Sequence, residues 1–407
     1  MILSIYFLIQ IIYVFMNPAF VKIIKVPPIM PLIPYLDKIF SINWMPPFYF
    51  TYWIIAIALV AIFHEGFHGI FARLYNIKIK STGFGFLGPF LAFFVEQDEK
   101  SMEKAKIKSQ LAVLSAGVFA NVLLSILFFI LMIGFFSLAY NPAGVIFNDY
   151  SYSVVPASML LGTEAIANNF SILNETLKVD GLNLTKIKLG DYNYYISDTF
   201  FSTKFITNPE EVPVKLYHDE PAIKNELKGA IIEVNGFKVE SSLDISKALM
   251  NEKPGEIVNV KTKYQTNNNQ IEGLDYDFNL GFDYSNPNIP KLGIATIKAE
   301  TSNTLKTWLY KLFNSFKDPN VYYEANANPD FTLFIYNLLW WIFMINISVA
   351  ICNMIPLGIF DGGRFFYLTI LAITGRKKIA KWTFKGITWL LLAVIVLMMV
   401  LYFMGIF

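Results

Sequence analysis

Long runs without a charged residue are the feature that most limits how this chain can fold. They cover residues 1–21, the segment from Ser109 to about Tyr140, residues 331–360 and residues 386–407. A helix needs about 20 predominantly apolar residues to cross the hydrocarbon core of a bilayer, and each run is long enough. Since helices satisfy their backbone hydrogen bonds internally, the runs predict a polytopic α-helical membrane protein.

The composition supports a membrane protein and excludes several other classes. Hydrophobic residues make up 55% of the 407 residues, aromatic residues 16% and charged residues 16%, which is too apolar for an ordinary soluble domain. The net charge of +2 provides no basic field for binding nucleic acid. The single cysteine, Cys352, excludes an intrachain disulfide and a cysteine-ligated zinc site.

A polar segment interrupts the apolar pattern. From Asn141 to Asp330, charged residues, Asn, Tyr and Thr are frequent and no run could span a bilayer. We therefore predict a soluble insert in a membrane core of five to six transmembrane helices. The predicted domains are a first transmembrane helix at 1–21, a surface linker at 22–47, the first part of the membrane core at 48–140, the insert at 141–330 and the second part of the core at 331–407.

Residues 1–21 could instead be a secretory signal. A positively charged region before the apolar run and a small-x-small cleavage site are both lacking. We therefore interpret the segment as a retained helix.

Lysine and arginine residues cluster in two short connections, and this bias predicts their side of the membrane. The 73–108 connection and the 375–385 connection are both rich in these residues, so we expect both at the cytoplasmic side. The insert is then extracytoplasmic. Its three Asn-x-Ser/Thr sequons, at Asn169, Asn174 and Asn183, suit that location.

Two of the three histidines lie four residues apart in the sequence His64-Glu65-Gly-Phe-His68. On a helix, both imidazoles project from one face, which is the arrangement that can bind one zinc ion. Glu65 lies beside them, where it can take a proton from a zinc-bound water and deliver it to the leaving amine. The third histidine, His218, lies in the insert and is expected to be an ordinary surface residue.

Two simpler explanations of this motif are a chance match and a metal site without catalysis. A chance HExxH in a chain with so few histidines has odds on the order of one in a thousand. A purely structural metal would leave Glu65 as a carboxylate without a role in apolar surroundings, which is costly. Catalysis is therefore the preferred interpretation.

A catalytic zinc site also needs a third protein ligand and one open position for water. Asp361 is the best candidate, because it ends the uncharged run of residues 331–360 and an ionisable residue at that depth is expensive. The alternative is an aspartate that only caps a helix at the interface. Helix-breaking residues are expected to make the backbone irregular around it: Pro356, Gly358, Gly362 and Gly363.

Together these motifs resemble the paired signatures of the site-2 protease family of intramembrane zinc metalloproteases, HExxH and N-x-x-P-x-x-x-x-D-G. The second signature matches Asn353-Met-Ile-Pro356-Leu-Gly-Ile-Phe-Asp361-Gly. Ala116-Gly117-Val-Phe-Ala-Asn121 is similar to the family's AG-x-x-x-N, with valine where proline is common.

A further segment, Gly88-Pro89-Phe-Leu-Ala-Phe-Phe-Val-Glu96, is similar to the family's membrane-inserted loop. The resemblance covers about 48–140 and 331–385.

The resemblance implies a role for each matching residue. The ligands of one zinc ion per chain would be His64, His68 and Asp361, and Glu65 would be the catalytic base. Asn353 would be a polar group near the substrate backbone or the tetrahedral intermediate. Asn121, whose role the resemblance leaves open, and Pro356 are grouped with the substrate-binding residues.

The family's zinc lies within the bilayer near the cytoplasmic side, and its substrates are transmembrane segments of other proteins. These are often cut after a first cleavage outside the membrane. A substrate helix must unwind before a carbonyl can reach the metal, and the loop near 83–96 could pair with the extended strand.

Residues from about 190 to 300 of the insert resemble a mixed α/β PDZ-like domain. On physical grounds, EVNG at 233–236 predicts a hairpin turn. Residues 242–249 match the domain's helix and residues 254–260 a following strand. Such a domain can add a peptide as an edge strand, so peptide C-termini are candidate partners. A lid or packing module is an equal alternative, and residues 141–190 match no pattern.

The predicted function is therefore regulated intramembrane proteolysis by a zinc endopeptidase that cuts membrane-tethered substrates within the bilayer. The alternative is a catalytically silent membrane scaffold that binds peptides through the insert, against which the intact Glu65 and Asp361 argue. A transporter would need polar pairs or repeats along the other helices, and no internal repeat is visible.

Overall fold

The helices dominate one of the two units into which the chain divides. In the computed structural model, that unit comprises Met1–Leu138 and Asn328–Phe407, and the second comprises Ala139–Ala327. The structure describes residues 1–15, 27, 30, 32–42, 45–87, 90–179, 181–202, 210–265, 271–297 and 315–404. The helices of the first unit are α1 (Ile2–Phe15), α2 (Leu36–Ile39), α3 (Phe50–Leu74), α4 (Glu99–Lys104), α5 (Ile107–Ala139), α10 (Pro329–Asn353), α11 (Asp361–Thr374) and α12 (Lys377–Phe403).

Within the described residues, four helices are long and apolar enough to cross a membrane: α3, α5, α10 and α12. Five or six were predicted. The described part of α1 ends at Phe15 and is too short, and the rest of the predicted helix at 1–21 lies outside the described residues. The helix α11, at 14 residues, is also too short.

Aromatic packing joins α3 to α10. The ring of Phe48, just before α3, stacks on Trp341 with centroids 3.9 Å apart, and both side chains are buried. The indole of Trp341 donates a hydrogen bond to the carbonyl oxygen of Pro47 at 3.1 Å. Because this contact satisfies the indole N–H inside an apolar cluster, it holds the start of α3 against the middle of α10.

Local signals set several helix ends. Asn328 caps α10 by accepting a hydrogen bond from the backbone N–H of Phe331 at 3.0 Å, and Pro329 occupies the first turn. Gly375 ends α11 in the left-handed conformation, with φ of 65°. The final helix α12 exposes large apolar side chains, among them Trp389 and Leu397, as expected of a lipid-facing helix.

A β-hairpin lies between α3 and α4. Its strands β1 (Ile79–Leu87) and β2 (Phe90–Gln97) pair antiparallel. Gly88 and Pro89, which belong to the predicted membrane-inserted loop, lie outside the described residues.

The second unit contains two larger sheets and two short strand pairs. The strands are β3 (Tyr140–Val145), β4 (Asp149–Tyr150), β5 (Tyr152–Pro156), β6 (Ser171–Val179), β7 (Leu182–Leu189), β8 (Tyr192–Ser197), β9 (Pro213–His218), β10 (Ala230–Val234), β11 (Phe237–Lys238), β12 (Ile257–Gln265), β13 (Ile271–Asn279), β14 (Gly281–Asp283), β15 (Asn286–Lys291), β16 (Ile294–Ala295) and β17 (Val321–Ala325). One sheet has the order β13-β12-β10-β3-β17, with β11 paired to β10, and the other has the order β5-β9-β8-β7-β6.

The second unit has two apolar clusters. One includes side chains of both larger sheets, such as Val234 and Leu184, and the other lies on the sheet of β7 and β9, with Ile187 and Leu216. The helices of this unit are short. They are α6 (Gly162–Ala167), α7 (Thr199–Ser202), α8 (Pro221–Lys224) and α9 (Ser242–Ala248), with a 3₁₀ turn at Ala157–Leu160.

The predicted turn at EVNG is confirmed. Val234 pairs with Phe237 across a two-residue loop, and the φ angles of Asn235 and Gly236 are 50° and 78°. Two successive positive φ angles are what a tight type I′ hairpin needs, and Asn-Gly is the preferred pair for it.

Candidate metal centre

Three side chains from two distant parts of the chain meet at one point. His64 and His68 lie on one face of α3, and their Nε2 atoms are 3.2 Å apart. Asp361, the first residue of α11, brings Oδ2 to 3.2 Å from Nε2 of His64 and 3.1 Å from Nε2 of His68. Among the described residues, these three side chains form the one group of His, Cys, Asp or Glu that could hold a metal ion.

The separations fit one tetrahedral metal ion. Ligand atoms about 2.0–2.1 Å from a zinc ion in tetrahedral geometry are about 3.3 Å from one another, close to the three distances observed. Two imidazoles and one carboxylate form a donor set that suits zinc and leaves a fourth position open. The histidine side chains are 9% and 6% exposed and that of Asp361 is 25% exposed, so the site opens on the Asp361 side.

Helix α5 lies against both imidazoles. The Nδ1 of His68 donates a hydrogen bond to the carbonyl oxygen of Val113 at 2.7 Å, and the Nδ1 of His64 is 3.0 Å from Nδ2 of Asn121. Between these two residues, Gly117 has no side chain, and a Cβ there would stand 2.6 Å from Nε2 of His64. The backbone of α5 can approach the site this closely only because position 117 is glycine.

Glu65 lies next to the three ligand candidates and contacts the β-hairpin. Its Oε2 accepts a hydrogen bond from the backbone N–H of Val95 at 3.2 Å. On the same side of α3, a Cβ at Gly69 would stand 3.3 Å from Cγ1 of Val95. The strand β2 is therefore held closely along the helix that carries the glutamate.

Asn353 is the last residue of α10, and its Nδ2 is 3.4 Å from Nε2 of His64. The structure thus brings this predicted residue to the centre. Pro356 is buried in the connection between α10 and α11, where its carbonyl oxygen accepts a hydrogen bond from Oγ1 of Thr388 in α12 at 3.3 Å.

The role predicted for two glycines as helix breakers is wrong. The break covers 354–360, and Gly362 and Gly363 are buried in the first turn of α11. Both lie against the preceding connection: a Cβ at Gly362 would stand 2.5 Å from the carbonyl carbon of Met354, and one at Gly363 would collide with the carbonyl oxygen of Leu357. Their lack of a side chain lets α11 begin directly beside the break.

His218 is not the surface residue that was expected. Its side chain is 13% exposed, its ring stacks on Tyr284 with centroids 4.0 Å apart, and its Nε2 is 2.8 Å from Oγ of Ser153. It lies in the second unit and belongs to the packing between strands.

The family of the chain follows from its sequence. A sequence model described as peptidase family M50 matches residues 52–401 of the 407. The chain belongs to peptidase family M50. No curated protein sequence matches it.

Membership in M50 makes this chain a metallopeptidase and an integral membrane protein. The predicted resemblance to the site-2 protease family is confirmed, because M50 is that family. M50 peptidases are zinc-dependent, and the cluster of His64, His68 and Asp361 is compatible with that requirement.

Three contributions to this candidate site were not predicted from the sequence: the carbonyl of Val113, the amide of Val95 and Gly117. The carbonyl of Val113 and the amide of Val95 are backbone groups, which leave no signature in residue identity. Gly117 does have a signal, since it belongs to the AG-x-x-x-N match, but its packing against the imidazoles appears only in the structure.

Proposed function

We propose that this M50 peptidase hydrolyses peptide bonds within transmembrane segments of membrane-tethered proteins, with one zinc ion held by His64, His68 and Asp361. The observation that carries the proposal is the convergence of three ligand atoms within 3.2 Å of one another, although 293 residues separate Asp361 from His68. A half-buried aspartate facing two buried histidines is costly in a membrane protein unless it has a function.

The chemistry divides between the metal and Glu65. A bound zinc ion supplies Lewis acidity, which makes water a nucleophile near neutral pH. Glu65 accepts the proton of the attacking water and transfers it to the leaving nitrogen. The hydrogen bond from Val95 orients one oxygen of the carboxylate, so the other is available for the proton.

Asn353 is placed to stabilise the carbonyl oxygen of the substrate. Its amide nitrogen is 3.4 Å from Nε2 of His64, so a substrate carbonyl held beside the three candidate ligands would lie within its reach. A donor directed at a developing oxyanion is typically worth a factor of 10²–10³ in rate.

The outer edge of β2 is the proposed place for an unwound substrate segment. Val95 pairs with Thr82 of β1, yet its N–H donates to Glu65 and so points away from β1. The backbone groups of Phe93, two residues earlier, point to the same side because directions alternate along a strand. A substrate strand added there would run past the catalytic glutamate.

The lysine and arginine residues of the 73–108 and 375–385 connections support a cytoplasmic location for these loops. We place the insert on the extracytoplasmic side and the metal centre near the cytoplasmic side of the bilayer. In line with the family resemblance, we propose as substrates proteins whose transmembrane segment remains after cleavage outside the membrane.

A groove in the insert supports a second, binding function. It has a volume of about 540 Å³ and lies between α9, with Ile245 and Leu249, and the segment that includes Leu292 and Ile294. Ile294 belongs to the strand β16, which pairs with β4 along one edge. We propose that peptide C-termini bind in this groove. If the chain lacked catalytic activity, it would still act as a membrane scaffold that binds peptides through this groove.

The test measures zinc content and cleavage of a tagged transmembrane substrate in detergent for the wild type, Glu65→Gln and Asp361→Ala. We expect one zinc per chain and cleavage for the wild type, zinc without cleavage for Glu65→Gln, and loss of both for Asp361→Ala.

Glu103→Gln and Asp330→Ala are matched controls, because both side chains are exposed and lie on other helices. Both should bind zinc and cut as the wild type does. Undiminished cleavage by Glu65→Gln, or a wild type that holds no zinc, would refute the protease assignment and leave the peptide-binding function.

A further inference from the structure

Asn121 is a fully buried polar residue in the middle of an apolar helix. Its exposed fraction is 0%, and it faces His64 with Nδ2 3.0 Å from Nδ1 of the imidazole. Its Oδ1 is buried and has no hydrogen-bond partner among the described residues. Because an unpaired buried acceptor costs about 1–3 kcal/mol, this arrangement requires an explanation.

The tautomer of a metal-binding histidine explains why Asn121 faces His64 in this way. A neutral imidazole that binds a metal through Nε2 carries its proton on Nδ1, so Nδ1 must donate a hydrogen bond. The Nδ2 of Asn121 is also a donor, and two donors facing each other at 3.0 Å repel. The oxygen and nitrogen of an asparagine amide have nearly the same shape, so a half-turn of the amide exchanges them. That exchange gives both Nδ1 of His64 and Oδ1 of Asn121 a partner.

The neighbouring histidine shows the same arrangement with an acceptor that cannot be exchanged. The Nδ1 of His68 faces the carbonyl oxygen of Val113 at 2.7 Å, and a carbonyl can only accept. Val113, Gly117 and Asn121 follow one another at intervals of four along α5, which places them on one face of that helix. His64 and His68 have the same interval on α3. Helix α5 therefore places one hydrogen-bond acceptor at each imidazole, with Gly117 between the two acceptors.

We propose that Asn121 is a positioning residue, which accepts the Nδ1 proton of His64 through Oδ1 and thereby presents Nε2 to the metal. The inference rests on the proposed zinc site. It assigns Asn121 to the metal centre instead of the substrate-binding residues with which the sequence grouped it.

Asn121→Asp and Asn121→Leu test whether Asn121 accepts or donates the hydrogen bond with His64. A carboxylate can only accept a hydrogen bond, and leucine can neither accept nor donate one. Zinc affinity is measured on the full chain in detergent by competition with a chelator, and the visible spectrum of the cobalt-loaded protein reports ligand geometry. We expect Asn121→Leu to bind zinc about 10–100-fold more weakly and to change the cobalt spectrum. Asn121→Asp should stay within a few-fold of the wild type.

Ser125→Ala is the matched control. Ser125 lies one turn further along α5, is buried, and donates to the carbonyl oxygen of Phe343 at 3.4 Å, so its removal should leave zinc affinity unchanged. If Asn121→Leu fails to fold, Asn121→Ala replaces it in the same comparison.

Two results would overturn the inference. Zinc binding by Asn121→Asp as weak as that by Asn121→Leu would show that the asparagine donates instead of accepting. Wild-type affinity in Asn121→Leu would show that it does not position His64. A wild-type protein that binds no zinc would instead refute the proposed function, so the two failures are distinguishable.

Discussion

Gly117 and His68 are in direct contact: a Cβ on Gly117 would stand 2.5 Å from Nε2 of His68. The two belong to different helices, α5 and α3, so this contact sets how closely the helices approach at the metal centre. We expect Gly117→Ala to displace the imidazoles and to abolish zinc binding and cleavage. Zinc content after purification checks this.

Gly134→Ala is the control for that substitution, because Gly134 lies on the same helix and a Cβ there would meet nothing within 4 Å. It should bind zinc normally. Equal zinc content in the two variants would contradict the role given to Gly117.

Gly363 plays a similar part beside Asp361, the third candidate ligand. A Cβ there would collide with the carbonyl oxygen of Leu357, and Asp361 lies two residues earlier on the same turn. We expect Gly363→Ala to lower stability by about 1–3 kcal/mol, as overpacking does, and to weaken zinc binding. Gly386→Ala, which meets nothing within 4 Å in α12, should change neither. Thermal unfolding in detergent and zinc content measure both effects, and equal behaviour of the two variants would refute the prediction.

Metal removal should lower the stability of the wild type. A ligand that binds only the folded state at 100 times its dissociation constant stabilises by about 2.7 kcal/mol. We expect the unfolding midpoint of the wild type to fall when a chelator removes zinc, and that of Asp361→Ala to stay the same. Asp330→Ala should behave as the wild type does. A midpoint that responds to zinc in Asp361→Ala would show that the metal binds elsewhere.

The insert offers a prediction about pH. Hydrogen bonds from Lys247 and Ser241 lower the pKa of Asp244 to about 2. The folded pKa is therefore below the unfolded value of about 3.9. The ionised side chain supports the start of α9 at all pH values above about 4, and this support is lost as the pH falls through about 2. Hydrogen exchange of residues 241–249 in the full chain should show protection down to pH of about 4 and its loss below.

Asp244→Asn is the comparison, because it removes the titrating group from the capping box that begins α9. Its exchange should be faster at neutral pH and should lose the acid dependence. The same acid dependence in the variant would show that another group is responsible.

The meeting of the three candidate metal ligands could be predicted from the sequence because they are ionisable residues in apolar surroundings. His64 and His68 are recognised by their spacing of four residues, and Asp361 is recognised because it ends an uncharged run. The hairpin turn at Asn235 and Gly236 was predictable for a similar reason, since few residue pairs adopt two positive φ angles. In each case a local physical requirement restricts the residue type.

Features that depend on tertiary contact could not be predicted. Gly362 and Gly363 look like helix breakers in isolation, yet they are helical residues that pack against the preceding connection. His218 looks like a surface histidine, yet Tyr284 covers its ring. Both features depend on how the chain folds back on itself, since the glycines meet the backbone of Met354 and Leu357 and the histidine meets a ring of another strand pair.

The insert begins and ends at one point. The backbone N–H of Asn326 donates a hydrogen bond to the carbonyl oxygen of Ala139 at 2.9 Å, and β3 and β17, which follow and precede these residues, pair side by side. A segment whose ends are adjacent acts on its host like a single short loop. Exchange of the whole insert during evolution would therefore leave the helices that carry His64, His68 and Asp361 unaltered.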